Sequence, residues 1–241
     1  MGALSANTLF HFTKTKECLI DILEYNFSVR YCVENFHYAK EKVAVPMVCF
    51  CDIPLAQISN HVDEFGSYAL GLNKDWAIRN NISPVIYTLE NTNLDSCIKE
   101  IYTKFHDVMG GQNGIYSEGT DIFFRLSSLI KEYEGVSLKT RRDKKFYDER
   151  EWRYILPKNS MCEHPFLFGP EIDNIDAYND SIDFQLKFTP DDISYIIVKN
   201  EYELSETAKS IREIKGRNFT SQQVDLLTTR IISMERIKED F

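Results

Sequence analysis

Charged residues run directly into a β-forming segment in the stretch YDEREWRYILP, residues 147–157. The first part, DERE, is typical of a loop, whereas WRYIL is rich in aromatic and branched side chains that favour a strand. Residues two apart on a strand point to the same face, so Glu149 and Glu151 would be aimed together into one cleft. This segment requires a sheet that accepts carboxylates at the entrance of one of its strands.

Two interpretations of this E-x-E pair follow from the residue types. One carboxylate could stabilise a developing cation while the other polarises an attacking group. Alternatively, the pair begins a salt-bridged strand, with Arg150 and Arg153 as partners on the other face. The spacing alone favours the structural interpretation, because structural ion-pair networks also hold such carboxylates.

Short β-forming segments and amphipathic segments follow one another along the chain without an internal repeat or a low-complexity linker. The predicted strands are TLFHFT (8–13), VAVPMVCFCDIP (43–54), SYALGL (67–72), SPVIYTL (83–89), EWRYIL (151–156) and DISYIIVK (192–199). The predicted helices are KECLIDILEY (16–25), DIFFRLSSLIKEYE (121–134), LSETAKSIREI (204–214) and a C-terminal amphipathic helix over about 220–238. The pattern favours a single α+β domain over residues 1–241, with an antiparallel or mixed central sheet.

Composition and charge narrow the class of protein. The chain has 241 residues and a net charge of −9, so a contact with nucleic acid must come from a local basic patch. Its six cysteines form no C-x-x-C pair, which argues against a zinc site and is typical of reduced cytosolic thiols. The first residues have no signal-peptide pattern, and no apolar run reaches the length of a membrane span. We therefore expect a cytoplasmic protein without a metal or a membrane association.

Candidate binding residues lie on two of the predicted strands. In TLFHFT, Phe10 and Phe12 would face one side, and His11 and Thr13 the other. An imidazole beside a hydroxyl can hydrogen-bond a ribose or an amide, although a half-buried structural histidine is the commoner case. Tyr68, in FGSYALGL, offers a flat apolar ring with a polar tip, and by itself it is typical of a core residue.

A basic loop, KTRRDKK (139–145), precedes the E-x-E strand. Its cations could hold phosphates as point or forked charges. A solvated loop is the commoner role of such a short charge run. The location favours the functional interpretation, because the loop leads directly into the strand with the paired glutamates. The cations are Lys139, Arg141, Arg142, Lys144 and Lys145.

Several of these motifs together resemble known families. FHFT followed by a helix resembles the first strand and helix of DarT-like ADP-ribosyltransferases, which modify nucleic acids. The order CF-x-D-x-P, then G-S-Y-x-x-G, then E-x-E-W-R is similar to a group that we place with the same transferases. The run VPMVCFCDIPLAQISNHVDEFGSYALGLNKDWA (45–77) resembles the abortive phage-resistance AbiGi-type family, which is usually labelled an antitoxin component. This second resemblance covers about the first 90 residues well.

The transferase resemblance implies an ADP-ribosyltransferase-like fold that uses NAD as a substrate. His11 would orient NAD through a ribose hydroxyl with Thr13 close by, and Tyr68 would lie against the nicotinamide. Glu151 would be the catalytic glutamate, and Glu149 would be concerned with the acceptor. Breaking the nicotinamide–ribose bond gives an oxocarbenium-like centre, which a carboxylate can stabilise.

The same resemblance extends to basic residues. Arg30, in NFSVRY, would contact the pyrophosphate, because guanidinium pairs well with phosphate. The basic loop would occupy the place of the acceptor-recognition loop. Its binding residues would be Arg141, Arg142, Lys144 and Lys145.

Three functions therefore stay open. The first is an NAD-dependent ADP-ribosyltransferase of phage defence, a toxin that modifies a nucleic acid or a protein. The second is a non-enzymatic antitoxin or regulator with a transferase-like fold, which contacts a cognate toxin or antitoxin protein. The third and weakest is a metal-dependent nuclease, because its carboxylates are not at a recognisable two-metal spacing. Those carboxylates are Asp52, Asp63, Glu64 and Glu151.

Overall fold

A computed structural model describes residues 6–36, 38, 41–110, 118–138, 140–157 and 164–240. The strands are β1 (Thr8–Thr13), β2 (Phe27–Ser28), β3 (Arg30–Phe36), β4 (Glu41–Cys51), β5 (Tyr68–Asn73), β6 (Ser83–Pro84), β7 (Ile86–Thr88), β8 (Ile130–Glu132), β9 (Gly135–Val136), β10 (Asp143–Lys144), β11 (Glu151–Ile155), β12 (Leu167–Phe168), β13 (Gln185–Leu186), β14 (Ile193–Val198) and β15 (Ile231–Ser233). The α-helices are α1 (Lys16–Tyr25), α2 (Val62–Phe65), α3 (Lys74–Arg79), α4 (Asn93–Gly110), α5 (Glu118–Ser127), α6 (Ile175–Asp180), α7 (Leu204–Lys215), α8 (Ser221–Thr228) and α9 (Met234–Asp240).

The largest sheet has the strand order β15-β14-β5-β1-β4-β11-β6, and β3 and β12 also pair with β4. The pair β14–β15 is parallel, whereas the central pairs β14–β5, β5–β1, β1–β4 and β4–β11 are antiparallel. The expected α+β domain with a mixed sheet is therefore confirmed. None of the helices within the described residues is long and apolar enough to cross a membrane.

One side of the sheet, the α1 face, is covered by α1, α3, α7 and α8. Leu9 of β1 and Leu70 of β5 point to this side and pack with Leu19 and Leu23 of α1. These side chains are fully buried, so this layer excludes water from one side of the central strands. Burial of apolar surface at about 25 cal/mol per Å² makes this contact a main source of stability.

The other side of the sheet, the opposite face, carries two apolar clusters. Phe10 of β1 and Ala69 of β5 pack there with Ile237 of α9. Farther along β4, Val45 packs with Phe123 of α5. The predicted alternation in TLFHFT is confirmed, because the phenylalanines of β1 belong to this side and its leucine belongs to the α1 face.

The long strand β4 is strongly curved. Glu34 of β3 is in register with Val43, and Arg153 of β11 is in register with Cys49. Six residues along a flat strand span about 20 Å. Nevertheless, the Glu34 carboxylate and the Arg153 guanidinium are 2.8 Å apart. The strand therefore bends toward the side of the sheet that lies away from α1, so the opposite face is concave. This bend brings side chains from β3 and β11 into contact.

Two predicted helices and one predicted strand differ from the structure. The helix over 121–134 is wrong in its second half, where β8 pairs in parallel with β7. The C-terminal helix over about 220–238 is also wrong, because β15 separates α8 from α9 and pairs with β14. The strand predicted over 83–89 is divided into β6 and β7, which join different sheets. In each case pairing with a distant strand overrides the local pattern.

Candidate functional site

The paired glutamates belong to a buried cluster of charged side chains on the opposite face, which we call the charge network. It contains four carboxylates and three cations that contact one another in sequence. Such a chain of buried ion pairs is stable only if every member keeps its partners. The members are Glu34, Glu64, Glu149, Glu151, Lys131, Lys144 and Arg153.

Arg153 is the most deeply buried member, with a relative exposure of 0%. It donates to both oxygens of Glu151, from Nε to Oε1 at 2.8 Å and from Nη2 to Oε2 at 3.0 Å. Its Nη2 also donates to Glu34 at 2.8 Å, and its Nη1 donates to the Ser128 carbonyl at 2.6 Å. The planar guanidinium thus joins β3, β11 and the segment that follows α5.

Lys131 of β8 joins the two glutamates of the motif. Its Nζ lies 2.7 Å from Glu149 Oε2 and 2.7 Å from Glu151 Oε2. Lys144 of β10 continues the network, because its ammonium is 2.6 Å from Glu149 Oε1 and also contacts Glu64. Each glutamate of the E-x-E motif is therefore held by two cations.

The environment keeps Glu151 ionised. Burial acts to raise its pKa, but Arg153 and Lys131 outweigh this effect and hold the pKa of Glu151 well below its usual range. Burial acts to lower the pKa of Lys131, but the carboxylates of Glu151 and Glu149 outweigh this effect and raise it. The charges thus stabilise one another in the ion-paired form, which is the arrangement of a structural network.

The two glutamates do not share a strand as the spacing predicts. Glu149 ends a 3-10 turn, Phe146–Glu149, and Arg150 follows in a left-handed conformation with φ 45°. Only Glu151 belongs to β11. Arg153 pairs with Glu151 from the same face of this strand, so the prediction that it lies on the other face is wrong.

His11 and Thr13 lie in the packed interior beside the α1 face. The His11 Nδ1 is 2.9 Å from the Cys49 carbonyl, to which it donates, and the ring packs 5.1 Å from that of Phe27. The ring centroid of Phe50 is 5.7 Å away. Thr13 donates its hydroxyl to the Thr15 carbonyl at 3.2 Å. These contacts fix both side chains within the fold, and their assignment to NAD binding stays a prediction.

Tyr68 lines an open cavity of about 620 Å³ at the start of α1. Its hydroxyl donates to Glu203 at 3.1 Å. Burial and this carboxylate raise the pKa of Tyr68 to about 12, so the phenol is protonated at neutral pH. Lys14, Lys16 and Glu64 also line this cavity, which is of a size that small-molecule sites commonly have.

The sheet separates Tyr68 from Glu151. Tyr68 is in register with Thr13 and belongs to the cluster of the α1 face. Glu151 is in register with Cys51, whose side chain belongs to the opposite face together with that of Phe10. Side chains in register point to the same side of a sheet. The expected convergence of the histidine, the tyrosine and the glutamate around one cleft is therefore not observed.

The predicted basic residues do not form one site. Arg30, Arg141, Arg142 and Lys145 are exposed, and Lys139 lies outside the described residues. Lys145 lies over the ring of Tyr133 at 5.1 Å. Lys144 is committed to the charge network, so it is not free to receive an acceptor.

Three of the four carboxylates of the metal-dependent alternative, Asp52, Glu64 and Glu151, are paired with cations. Asp52 is paired with Lys74 at 2.7 Å, and Glu64 is paired with Lys144. Within the described part of the chain, no group of three or more His, Cys, Asp or Glu side chains could hold a metal ion. The side chain of Asp63 lies outside the described residues.

Sequence reasoning missed Lys131 as a partner of the paired glutamates and Glu34 as a partner of Arg153. Lys131 lies in a segment whose apolar spacing indicates a helix, and Glu34 belongs to no motif. The sequence did contain one signal of the ion pairing. Arg153 follows Glu151 by two residues, so the two side chains share one face of a strand.

Comparisons with known proteins agree on one family. A family model described as "Putative abortive phage resistance protein AbiGi, antitoxin" matches residues 25–199. A Lactococcus lactis subsp. cremoris protein named abortive phage resistance protein AbiGi is 31% identical over 251 residues, which cover 89% of this chain and 99% of that protein. No solved structure matches the chain significantly. The ADP-ribosyltransferase-like fold and the DarT-like resemblance stay predictions.

Replacing Arg153 with Met should lower the free energy of unfolding by about 3–5 kcal/mol, because Glu151 loses its main cation while it stays buried. Urea unfolding followed by circular dichroism measures the change. Lys104→Met is the control, because it removes an exposed pair with Glu100 at 2.6 Å and should leave stability unchanged. Equal, small effects of the two substitutions would contradict a structural role for the charge network.

Proposed function

The chain belongs to the AbiGi family of abortive phage-resistance proteins, and we propose that it is an antitoxin that acts by contact with a cognate toxin protein. In this proposal the chain performs no chemistry on the toxin or on phage nucleic acid. Its sheet provides a rigid support, and its surface provides the contact. The description of the family as an antitoxin supports this function.

The engagement of Glu151 carries the proposal. Its two carboxylate oxygens accept three hydrogen bonds from Arg153 and Lys131, and the residue is only 5% exposed. A catalytic glutamate would have to reach a ribose hydroxyl of bound NAD. Glu151 could do so only by breaking an ion pair inside the protein, which is strongly unfavourable.

We place the toxin contact on an apolar surface formed by two helices, the α4–α5 face. Ile122 and Leu126 are one turn apart on α5, and both are exposed. Leu94 and Ile101 are exposed on α4, which packs against α5. Large exposed apolar side chains commonly mark a protein-binding site when they form one patch, and we propose that these side chains do. These four residues define the α4–α5 face.

Replacing both Ile122 and Leu126 with Asp should abolish toxin neutralisation, because two carboxylates would have to be buried without partners in the contact. Growth rescue of cells that co-express the toxin, with co-purification of the two proteins, measures the effect. The matched control is Ile78→Asp on α3, since Ile78 is 65% exposed and Ile122 is 61% exposed. Full neutralisation by the double variant would exclude the α4–α5 face, and loss in the control alone would place the contact on α3.

A second candidate, NAD-dependent ADP-ribosyl transfer, is favoured by one observation. Tyr68, which the transferase resemblance assigns to the nicotinamide, lines the cavity of about 620 Å³. Glu64 lines the same cavity and contacts Lys144, so the charge network reaches its wall. A different carboxylate from Glu151 would then have to face the ribose.

Nicotinamide release distinguishes the two candidates. We expect the purified chain to release no nicotinamide from NAD above a protein-free control, because Glu151 does not face the Tyr68 cavity. Chromatography of the reaction measures the product. Release that is lost in Tyr68→Ala and kept in Tyr25→Ala, an exposed control, would favour the transferase instead.

A further inference from the structure

Lys215 is a buried cation that has no ionic partner among the described residues. It is the last residue of α7, and it is 5% exposed. In the part of the chain that the structure describes, its ammonium has neither an ion pair nor a hydrogen bond with a side chain or a carbonyl. Its Nζ lies 4.8 Å from the ring centroid of Phe188 and 5.9 Å from that of Phe219.

Most of the Lys215 side chain is withdrawn from water in this position. Lysine is almost never buried unless it is paired, because an ammonium loses its hydration there. Aromatic rings offset part of this loss through cation–π attraction. Burial lowers the pKa of Lys215, which agrees with an ammonium that lacks a carboxylate. Lys131 differs from Lys215 in this respect, because its ammonium has two carboxylates at 2.7 Å.

Lys215 lines a cavity of about 420 Å³ on the outside of the α1 face. The rings of Phe188 and Phe219 are part of its wall, together with Trp76. The volume lies in the range of small-molecule sites, whose walls usually combine aromatic side chains with a small number of polar groups. The cavity therefore combines three aromatic rings with polar side chains and with the positive charges of Lys215 and Lys187.

The carboxylates of this cavity are already committed to other cations. Asp192 is 2.5 Å from Arg79, and Glu24 is 3.0 Å from Arg217. The positive charge of Lys215 is therefore not balanced, although the whole chain has a net charge of −9. A local positive excess of this kind attracts a small anion.

We propose that this cavity is a binding site for a small planar aromatic anion. A carboxylate or a phosphate of the ligand pairs with the Lys215 ammonium, and its ring packs against Phe188 and Phe219. Charge-assisted hydrogen bonds of this type are roughly twice as strong as neutral ones. The proposal does not depend on the antitoxin function, because it rests on the cavity and its charge alone.

Four probes separate the ring from the anion in isothermal titration calorimetry. Benzoate and phenyl phosphate carry both features, benzyl alcohol carries the ring alone, and inorganic phosphate carries the anion alone. We expect saturable binding of benzoate or phenyl phosphate to the full chain, tighter than that of either single-feature probe. Whether benzoate or phenyl phosphate binds with the higher affinity tells whether the ligand carries a carboxylate or a phosphate.

Substitutions assign the binding to Lys215. Lys215→Met keeps an unbranched apolar stem but removes the charge, so the better probe should bind about tenfold to a hundredfold more weakly. Lys209→Met is the matched control, since it removes an exposed lysine from the same helix and should leave binding unchanged. Thermal unfolding without ligand verifies that the variants fold, and Lys215→Gln replaces the Met variant if that one does not.

Two outcomes overturn the proposal. One is the absence of saturable binding by benzoate and phenyl phosphate at millimolar concentrations. The other is equal affinity of the wild type and the folded Lys215 variant, which would place the ligand elsewhere. Weaker probe binding by the Lys215 variant, with unchanged binding by Lys209→Met, supports the site.

Discussion

The buried guanidinium of Arg153 is the interaction on which the opposite face of the sheet depends. It binds Glu151 on its own strand and Glu34 on β3, although Arg153 and Glu34 are in register with positions on β4 that are six residues apart. The contact exists only because β4 is curved, and the attraction between these charges stabilises that curvature in turn. Lys131 and Lys144 extend the network to Glu149 and Glu64. The carboxylates at the entrance of β11 are therefore paired with cations. Arg153 lies on the same strand, and Lys131 and Lys144 lie on other strands.

This arrangement explains why an E-x-E motif can resemble a catalytic one without facing a cleft. The sheet is a wall between two environments. One side buries most of the paired charges, and Tyr68 and Lys215 belong to the other side, although the Tyr68 cavity also reaches Glu64 of the charge network. In the proposed function, a role in binding therefore belongs to the outer surfaces, and the glutamates stabilise the interior. Membership in a family described as an antitoxin is consistent with that division.

Local patterns in the sequence predicted the elements in which the spacing of apolar side chains matches the element that forms. The strand at 8–13 alternates as expected, because each side of the sheet buries its own apolar side chains. The segments around 130–132 and 231–233 instead form strands, since each pairs with a partner far along the chain. The contacts of Lys131 with Glu151 and of Glu34 with Arg153 were not predictable for the same reason. Lys131 lies on β8, which pairs with β7, and the curvature of β4 brings Glu34 to Arg153, so no local spacing encodes either contact.

The central claim, that Glu151 is a structural residue and not a catalytic one, is tested most directly by growth rescue with Glu151→Gln. Cells that express the toxin would receive either chain at matched levels, at a temperature where circular dichroism shows both to be folded. The account predicts equal rescue by the two chains, because Gln keeps the shape of the side chain and contact with the toxin lies elsewhere. Loss of rescue by the folded, equally abundant variant would contradict it.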